Sequence, residues 1–480
     1  MSAVQARGAE PISLAGLSLD SFAGRPVAVL GFARSGLALS RFLADRGAQV
    51  TVYDARPASE LGEQLAGLEG RRVRALLGPD EDPAEALRGQ ALVCTSPSVN
   101  SRYPTTEPRL RAALAALEAE GRVPLVSEID LFLRLCPAAT VGVTGTKGKT
   151  TTSALSAAVL AAGGGPVVLG GNIGTPLVER LPELTPQHVC VLELSELQLP
   201  TLSRGTDVAV YTHVSSDHLD RHGSIEAYRA VKRRLAELAP ADGALVLNAE
   251  DPVSSAYAAA GPAPTVRYRR AAPGPAEVGL ADGWVVARDV ARLERLGGGP
   301  AQVGDGGRIL PLEEVRLAGS HNTSNVLAAV SVGLLHGVAP DAIRAAVGSF
   351  SGVEHRLEPV AELGRVRFVN DSMGTQPDAV VAALNAFTPP IVLICGGQSK
   401  GLSLDELARV VGERVGGMEE AVRRGHLLAR ELLAEHAGAG EATVLLSPAA
   451  ASFDMFVDYA ARGRAFKDAV QALSGGEGSR

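Results

Sequence analysis

The chain has 480 residues, of which 46% are hydrophobic and 21% are charged, and its net charge is −7. This composition predicts a globular protein of about three domains, and the acidic balance argues against a broad nucleic-acid-binding surface. No apolar run is long enough to span a bilayer, and no secretory signal is evident. We therefore expect a cytoplasmic protein, with its four cysteines as buried free thiols.

The first third of the sequence has the pattern of a nucleotide-binding sheet. Residues 25–36 predict a strand, a Gly-x-Ala-x-x-Gly loop and the start of a helix, and a second strand ends at Asp54. The pattern resembles a dinucleotide-binding fingerprint, although Ala33 replaces the middle glycine. A further strand ends at Ser96. The sequence leaves open NAD binding, a nucleotide-sized pocket without NAD, or ordinary turns.

The stretch from Ala139 to Thr152 is the most specific signal in the chain. A short β-branched strand precedes a loop, and an Ala-rich helix is predicted from Thr151. The loop residues are Gly145, Thr146, Lys147, Gly148, Lys149 and Thr150. Glycine N–H groups and a helix N-terminus form a phosphate cradle, in which Lys149 would reach the terminal phosphates and Thr150 would bind Mg²⁺. The pattern predicts nucleoside triphosphate binding but does not define a reaction.

Three candidate metal ligands follow the phosphate loop. Glu193 lies at the C-terminal end of an apolar strand, where it would coordinate Mg²⁺. A later loop contains Asp217 and His218, which could ligate a metal or lie on a polar surface. The helix predicted over 224–238 places Lys232 at the border of its apolar face, and the pattern alone favours a lysine whose charged end reaches solvent.

Polar residues also follow the later elements. Asn322 and Asn325 lie three positions apart at the start of a predicted helix, as caps or as ligand contacts. In the last third, strands predicted near residues 365–369, 391–395 and 443–446 all end in small or polar residues. They indicate a second doubly wound sheet with a ligand-binding edge. Lys400, in a Gly-rich loop, is a natural partner for a carboxylate.

The order of these motifs resembles that of the Mur ligases, the ATP-dependent ligases that build the peptidoglycan stem peptide. The matching segments are Val143–Thr150, Gly170–Gly174, Glu193–Ser195, Ser216–Asp220, Tyr228–Lys232, Ser320–Asn322, Glu354–Arg356 and Asn370–Ser372. The segments Gly396–Lys400 and Leu446–Asp454 look most like those of the branch that adds D-glutamate. The resemblance covers nearly the whole chain.

The resemblance implies an α/β fold of three domains. These would be a UDP-substrate-binding Rossmann-like domain at 1–136, a central ATP-binding domain with a P-loop ATPase-like, mostly parallel sheet at 137–352, and an amino-acid-binding Rossmann-like domain at 353–480. It also implies that ATP converts the alanyl carboxylate of UDP-N-acetylmuramoyl-L-alanine into an acyl phosphate, which D-glutamate attacks. Two Mg²⁺ ions and Lys149 would neutralise the transferred charge. A monomer acting on small-molecule substrates is expected.

Catalytic, metal and ATP-binding residues carry over by position within the matching motifs. The resemblance implies catalytic roles for Lys149, His218 and Lys232, the last as a carbamate that gives Mg²⁺ an anionic oxygen ligand. The implied metal ligands are Thr150, Glu193, His218 and Lys232. The implied ATP contacts are Gly145, Thr146, Lys147, Gly148, Lys149, Thr150, Thr151, Asn322, Asn325, Arg356 and Asp371.

The other two substrates have their own implied contacts. For the UDP substrate these are Arg34, Ser35, Asp54, Arg56, Ser96, Asn172, Ser195, Gln198 and His218. For D-glutamate they are Thr375, Lys400, Ser452 and Phe453. Met373 departs from the family pattern, in which a lysine usually stands at this position. One expected cation for the D-glutamate side chain is therefore missing.

Four other functions compete with this reading. A Mur ligase for a different amino acid is the nearest, but a third-residue ligase would show an Asp-Asn-Pro-Arg motif that the chain lacks. A folylpolyglutamate synthase-like ligase would share the phosphate loop but not the C-terminal motifs. A nucleotide-binding module without ligase activity would need no second metal, and an NAD-dependent dehydrogenase would leave the phosphate loop unexplained.

Overall fold

A computed structural model of the protein describes most of the chain. The described residues are 9–104, 106–215, 222, 224–289, 303–317, 319–374, 380, 383–384, 386–387, 391–395, 418–435, 441–448 and 456–477. They form two compact units. The first extends to Val315 and also contains Ser320–Ser349, and the second contains Arg316–Gly319 and the chain from Phe350 onward.

Strands and helices alternate along much of the chain. The strands are β1 (Pro26–Leu30), β2 (Gln49–Asp54), β3 (Val73–Leu77), β4 (Leu92–Thr95), β5 (Leu125–Ser127), β6 (Ala139–Thr144), β7 (Val167–Gly171), β8 (Val189–Glu193), β9 (Val208–Tyr211), β10 (Ala244–Asn248), β11 (Thr265–Tyr268), β12 (Glu277–Ala281), β13 (Trp284–Arg288), β14 (Arg308–Pro311), β15 (Glu358–Leu363), β16 (Val366–Asn370), β17 (Ile391–Ile394) and β18 (Ala442–Leu446).

The α-helices of the described residues connect and cover these strands. They are α1 (Arg34–Asp45), α2 (Gly62–Ala66), α3 (Pro83–Leu87), α4 (Pro108–Glu120), α5 (Glu128–Leu135), α6 (Lys149–Ala162), α7 (Ile225–Leu238), α8 (Pro252–Ala256), α9 (Ser320–Leu335), α10 (Pro340–Ser349), α11 (Met418–Glu435) and α12 (Tyr459–Glu477). Within the described part of the chain, no helix is long and apolar enough to cross a membrane.

The first sheet of the first unit is parallel, with the strand order β3-β2-β1-β4-β5. Its central strand is apolar and buried over Val27–Leu30, as expected for a strand covered on both faces. The chain crosses from one half of the sheet to the other after β3, so the strand order reverses between the neighbouring strands β1 and β4. A crevice at the carboxyl ends of such neighbouring strands is where doubly wound sheets bind ligands.

The second sheet of this unit has the order β14-β13-β12-β11-β10-β9-β6-β8-β7. The strands from β7 to β12 pair in parallel, and β12, β13 and β14 form an antiparallel extension. Strand β6, which leads into the phosphate loop, lies between β8 and β9. The carboxyl ends of these three strands therefore meet at one edge, where Glu193 ends β8.

The second unit contains a sheet of order β15-β16-β18-β17, in which β16, β17 and β18 are parallel and β15 is antiparallel. Val366, Phe368, Val444 and Phe466 belong to its buried core. The predicted α/β class with mostly parallel sheets is confirmed, and so are the three strands predicted in the last third. The exact domain boundaries at 136 and 352 stay a prediction.

Candidate functional site

Two glycines allow the tight backbone conformation of the phosphate loop. Gly145 and Gly148 have φ angles of 145° and 89°, values that residues with a Cβ atom rarely adopt. A Cβ at Gly145 would lie 2.0 Å from Thr212 Oγ1, and one at Gly148 would lie 2.5 Å from Asn325 Oδ1. Glycine is therefore favoured at both positions.

The helix after the loop begins two residues earlier than predicted. Gly148 is the N-cap of α6, so Lys149 and Thr150 form its first turn rather than part of the loop. The ammonium of Lys149 donates hydrogen bonds to the carbonyl oxygens of Gly145 and Thr146, at 3.1 and 3.0 Å. A positive charge thus lies over the loop at a helix N-terminus, an arrangement that favours a phosphate anion.

The segment after β9 holds the loop in place. Thr146 N donates to His213 O at 2.6 Å, and Thr212 Oγ1 donates to Lys147 O at 2.6 Å. The hydroxyl groups of Thr146 and Tyr228 are 3.0 Å apart, which links the loop to α7. These contacts fix the loop conformation before any ligand arrives.

Asn322 and Asn325 lie inside α9 rather than capping it, and Asn325 reaches the phosphate-loop helix. Its Oδ1 accepts a hydrogen bond from Thr152 Oγ1 at 3.1 Å, while its Nδ2 donates to Asn322 Oδ1 at 3.0 Å. Both asparagines are buried. The structure therefore brings Asn325 beside the loop, as its predicted contact with ATP requires.

Glu193 ends β8 directly beside β6 and is only 2% exposed. Its Oε1 accepts a hydrogen bond from Asn172 Nδ2 at 2.8 Å. Its Oε2 is buried and has no hydrogen-bond partner among the described residues. Burying a charged oxygen without a partner costs several kcal/mol, so a cation at this oxygen fits the site. The residues present therefore suit a hard divalent metal such as Mg²⁺.

Lys232 is fully buried in α7, so the prediction that its charged end reaches solvent is wrong. Its Nζ lies 3.4 Å from Thr144 Oγ1 and 5.4 Å from the centroid of the Tyr228 ring. Tyr211 Oη donates a hydrogen bond to the Lys232 carbonyl oxygen at 2.7 Å, which fixes this turn of the helix against β9. The packing of α7 on the sheet buries Lys232, although this residue lies at the border of the helix's apolar face.

The metal site is described only in part. Of its predicted ligands, Thr150 and Glu193 are described and buried, and Lys232 lies beside the strand that precedes the loop. His218 and its neighbour Asp217 lie outside the described residues. Within the described ranges, no group of three or more His, Cys, Asp and Glu residues could hold a metal ion.

The acidic residue at the end of β2 is saturated with hydrogen-bond donors. Asp54 Oδ2 accepts from Phe32 N at 2.7 Å and Arg56 Nη2 at 2.9 Å, and Oδ1 accepts from the N and Nε of Arg56. Burial acts to raise the pKa of this carboxyl, but the hydrogen bonds from Arg56 and Phe32 lower it overall. A carboxylate has about four acceptor positions. None remains for a ribose hydroxyl, so the structure disfavours NAD binding.

A cavity of about 270 Å³ lies at the carboxyl edge of the first sheet. Its lining residues are Gly31, Asp54, Ala55, Ser98, Val99, Thr106, Glu107, Leu110 and Leu197. Of the predicted UDP-substrate residues, Asp54 lines it, and Ser96 donates to Gly31 O at 3.0 Å. Glu107 was not predicted, although its place before Pro108 marks it as the N-cap of α4.

Other predicted UDP-substrate residues form two hydrogen-bonded pairs in the first unit. Arg34 Nη2, in the first turn of α1, donates to Asn172 O at 3.2 Å. Ser195 donates through its N and Oγ to Gln198 Oε1, at 2.9 and 3.1 Å. Ser35 is half-buried beside Arg34 and is not part of the cavity lining. Because Asn172 also binds Glu193, a hydrogen-bonded path joins α1 to the candidate metal ligand.

Glu128 is a buried acid that sequence reasoning did not single out. It begins α5, is 2% exposed, and its Oε1 has no hydrogen-bond partner among the described residues. Burial raises the pKa of Glu128 to about 7, against a backbone hydrogen bond from Val178 and the charge of Arg34, while Glu179 adds to the increase. The sequence gives no signal for this, because the burial comes from a distant segment.

Arg356 and Asp371 lie in the second unit. Asp371 is 5% exposed and accepts hydrogen bonds from Ser447 Oγ at 2.7 Å and Leu357 N at 3.1 Å. Burial raises its pKa in spite of these bonds. Arg356 stands between His355 and Leu357, whose φ angles of 64° and 44° are unusual for residues with side chains. Strain of this kind is often found at functional positions.

The predicted D-glutamate residues, Thr375, Lys400, Ser452 and Phe453, lie outside the described residues. Beside them in sequence, Ser372 is held by Arg462, whose Nε and Nη2 donate to its Oγ and carbonyl oxygen at 3.0 and 2.9 Å. Arg462 is 4% exposed. A buried cation thus lies next to the segment in which Met373 replaces a lysine.

The fold and this site define an α/β protein that binds a nucleoside triphosphate. Residues 143–333 match the Mur ligase middle domain. A UDP-N-acetylmuramoylalanine--D-glutamate ligase of Symbiobacterium thermophilum is 40% identical over 96% of this chain and 100% of its own length. One from Roseiflexus is 38% identical over 93% and 97%. The chain therefore belongs to the Mur ligase family, and these relatives place it beside the D-glutamate ligases.

Solved structures agree with this fold. A UDP-N-acetylmuramate-alanine ligase, MurC, of Thermotoga maritima has a TM-score of 0.51 at 16% identity, with 94% of this chain and 100% of that chain covered. MurF of Acinetobacter baumannii gives 0.51 at 15% identity, with 92% and 93% covered. At such low identity these likenesses concern the fold alone.

Proposed function

We propose that the protein is an ATP-dependent ligase that joins D-glutamate to UDP-N-acetylmuramoyl-L-alanine, as a cytoplasmic monomer in peptidoglycan precursor synthesis. The observation that carries this proposal is the pairing of a glycine-bounded phosphate loop with Glu193, a buried carboxylate that has one oxygen without a partner among the described residues. The names of the relatives, which align over 97–100% of their own length, support the identity of the two substrates that the ligase would join at the expense of ATP.

The reaction begins with transfer of the γ-phosphoryl group from ATP to the alanyl carboxylate. The loop N–H groups and the ammonium of Lys149 bind the phosphates and offset the negative charge that spreads over the transferred group. Asn322, Asn325, Arg356 and Asp371 would contact ATP. The resulting acyl phosphate is attacked by the D-glutamate amine, an amide bond forms, and phosphate leaves.

Magnesium, when bound, supplies further charge neutralisation for this transfer. Thr150 and Glu193 would hold one ion, and His218 together with Lys232 would hold a second. Lys232 would serve as a carbamate, formed when its neutral amine adds CO₂ and releases a proton. Full burial of Lys232 favours the neutral amine, and its position beside Thr144 lies next to the phosphate loop.

The cavity at the first sheet is the proposed site of the uridine portion. Asp54 would shape it by holding the N–H of Phe32 and the guanidinium of Arg56, while Ser96 keeps the Gly31 turn in place. Arg34, Ser35, Asn172, Ser195 and Gln198 would bind the rest of the UDP substrate. Thr375, Lys400, Ser452 and Phe453 would receive D-glutamate.

The experiment that tests this proposal is ADP release by the purified protein with defined substrates. ADP should appear only when ATP, Mg²⁺, UDP-N-acetylmuramoyl-L-alanine and D-glutamate are present together. L-lysine or diaminopimelate in place of D-glutamate, and a folate with L-glutamate in place of both substrates, serve as controls for the neighbouring ligases. Equal ADP release with any of these controls would refute the proposed substrate.

A further inference from the structure

Two cysteines from distant parts of the chain lie next to each other in the first unit. Cys136, at the C-cap of α5, and Cys190, in β8, have their sulfur atoms 3.9 Å apart. Cys136 is half-buried, whereas Cys190 is fully buried. A small reagent should therefore reach Cys136 more readily than Cys190.

The pKa values of the two thiols are shifted in opposite directions, which suits two successive steps of one reaction. A hydrogen bond with Cys190 lowers the pKa of Cys136, with help from the nearby charge of Arg204 and against the effects of burial and of Asp207. The same hydrogen bond, together with burial, raises the pKa of Cys190. Thiolates, not thiols, attack disulfides, so Cys136 is the attacking group and Cys190 the one that resolves.

We propose that Cys136 and Cys190 are a redox modification site that forms a reversible disulfide on meeting a low-molecular-weight disulfide. The Cys136 thiolate attacks one sulfur of the reagent, forms a mixed disulfide and releases one thiolate. Cys190 then loses its proton and attacks Cys136 Sγ, which forms the internal disulfide and releases the second thiolate. Two protein thiols are oxidised and one reagent disulfide is reduced to two thiols, so the step balances.

Only a short movement of the two sulfur atoms is needed to form this disulfide. The sulfur atoms must approach from 3.9 Å to about 2.05 Å, and Cys136 can supply the movement because it ends a helix and is partly exposed. The bond would tie the segment between α5 and β6 to β8, three residues before Glu193. The remaining cysteines, Cys94 and Cys395, have no sulfur neighbour of this kind among the hydrogen bonds of the described residues.

The test is exposure of the folded, reduced full-length protein to glutathione disulfide at neutral pH. Remaining thiols are then alkylated, and the peptides are identified by mass spectrometry. The free-thiol count should fall from four to two, with one cross-linked peptide pair that joins Cys136 to Cys190 and separates again on adding dithiothreitol. Circular dichroism before digestion establishes that the protein stayed folded.

Three serine variants separate the roles. Cys190→Ser should retain glutathione on Cys136, because nothing resolves the mixed disulfide, and Cys136→Ser should leave Cys190 unmodified. Cys94→Ser is the matched control and should form the cross-link as the wild type does. A folded wild-type protein that keeps both thiols free, or that ends with glutathione on Cys136 and no cross-link, would overturn the proposal.

Discussion

The side-chain nitrogen of Lys232 lies 3.4 Å from the hydroxyl oxygen of Thr144, the residue directly before the phosphate loop. Lys232 is fully enclosed, with the Tyr228 ring on one side. A lysine that served only to improve solubility would extend to water. Its position instead connects α7 to the loop that would hold ATP, and several consequences can be measured.

Replacing Lys232 should abolish most activity without preventing folding. Because the proposed carbamate provides an anionic ligand, Lys232→Ala and the size-conserving Lys232→Met should lower kcat by roughly 100-fold or more. Short carboxylic acids should restore part of the activity of Lys232→Ala, since they can supply the missing oxygens. Arg233→Ala, one residue along on the exposed face, is the control. Full activity of either Lys232 variant would rule out the carbamate.

The unpartnered oxygen of Glu193 predicts a specific dependence on magnesium. Glu193→Gln replaces one carboxylate oxygen by an amide nitrogen, which cannot bind a cation. The Mg²⁺ concentration for half-maximal ADP release should rise by at least about 10-fold. Glu226→Gln, on the exposed side of α7, should leave this concentration unchanged. A Glu193→Gln protein with the magnesium response of the wild type would remove Glu193 from the metal site.

Gly148 allows a test of the phosphate loop in which Gly164 serves as the matched control. Gly148 and Gly164 both have a φ of 89°, but a Cβ at Gly148 meets Asn325 Oδ1 at 2.5 Å whereas one at Gly164 meets nothing within 4 Å. Each alanine variant should lose about 1 kcal/mol of stability to backbone strain, and Gly148→Ala should lose more because its Cβ also collides with Asn325. Only Gly148→Ala should also lose ATP affinity, measured by titration calorimetry. Equal ATP affinity in the two variants would contradict the assigned loop.

The buried acid Glu128 predicts a stability that falls as the pH rises. Its pKa is raised from 4.5 to about 7 in the folded protein, so between these values the unfolded state binds fewer protons than the folded one. The free energy of unfolding therefore decreases with pH in this window. Relative to wild type, Glu128→Gln should gain up to roughly 3 kcal/mol between pH 4.5 and 7.

Denaturant unfolding at a series of pH values measures this effect. Glu63→Gln, on an exposed helix of the same unit, is the control and should follow the wild type throughout. A difference between Glu128→Gln and wild type that stays constant across the window would show that the pKa of Glu128 is the same in the folded and unfolded states.

Local sequence patterns were enough to predict the phosphate loop and the polar residues at the strand ends. The strand before the loop, the glycines at 145 and 148 and the place of Glu193 at the end of β8 all follow from residues close in sequence. Such features depend on strand length, glycine conformation and helix dipoles, which act over a few residues.

Features that depend on contacts between distant segments were not predictable. The burial of Lys232 requires the packing of α7 on the sheet, and the burial of Glu128 requires the segment around Val178. The approach of Cys136 to Cys190 joins positions 54 residues apart. Helical periodicity places a side chain on a face, but it does not say what covers that face.

The most direct test of the central claim follows an oxygen atom. UDP-N-acetylmuramoyl-L-alanine labelled with ¹⁸O in its alanyl carboxylate is turned over with ATP and D-glutamate, and the released phosphate is analysed by mass spectrometry. Because the carboxylate accepts the γ-phosphoryl group, one labelled oxygen should leave with each inorganic phosphate, and ADP should remain unlabelled. Phosphate without label, or label in AMP, would contradict the account.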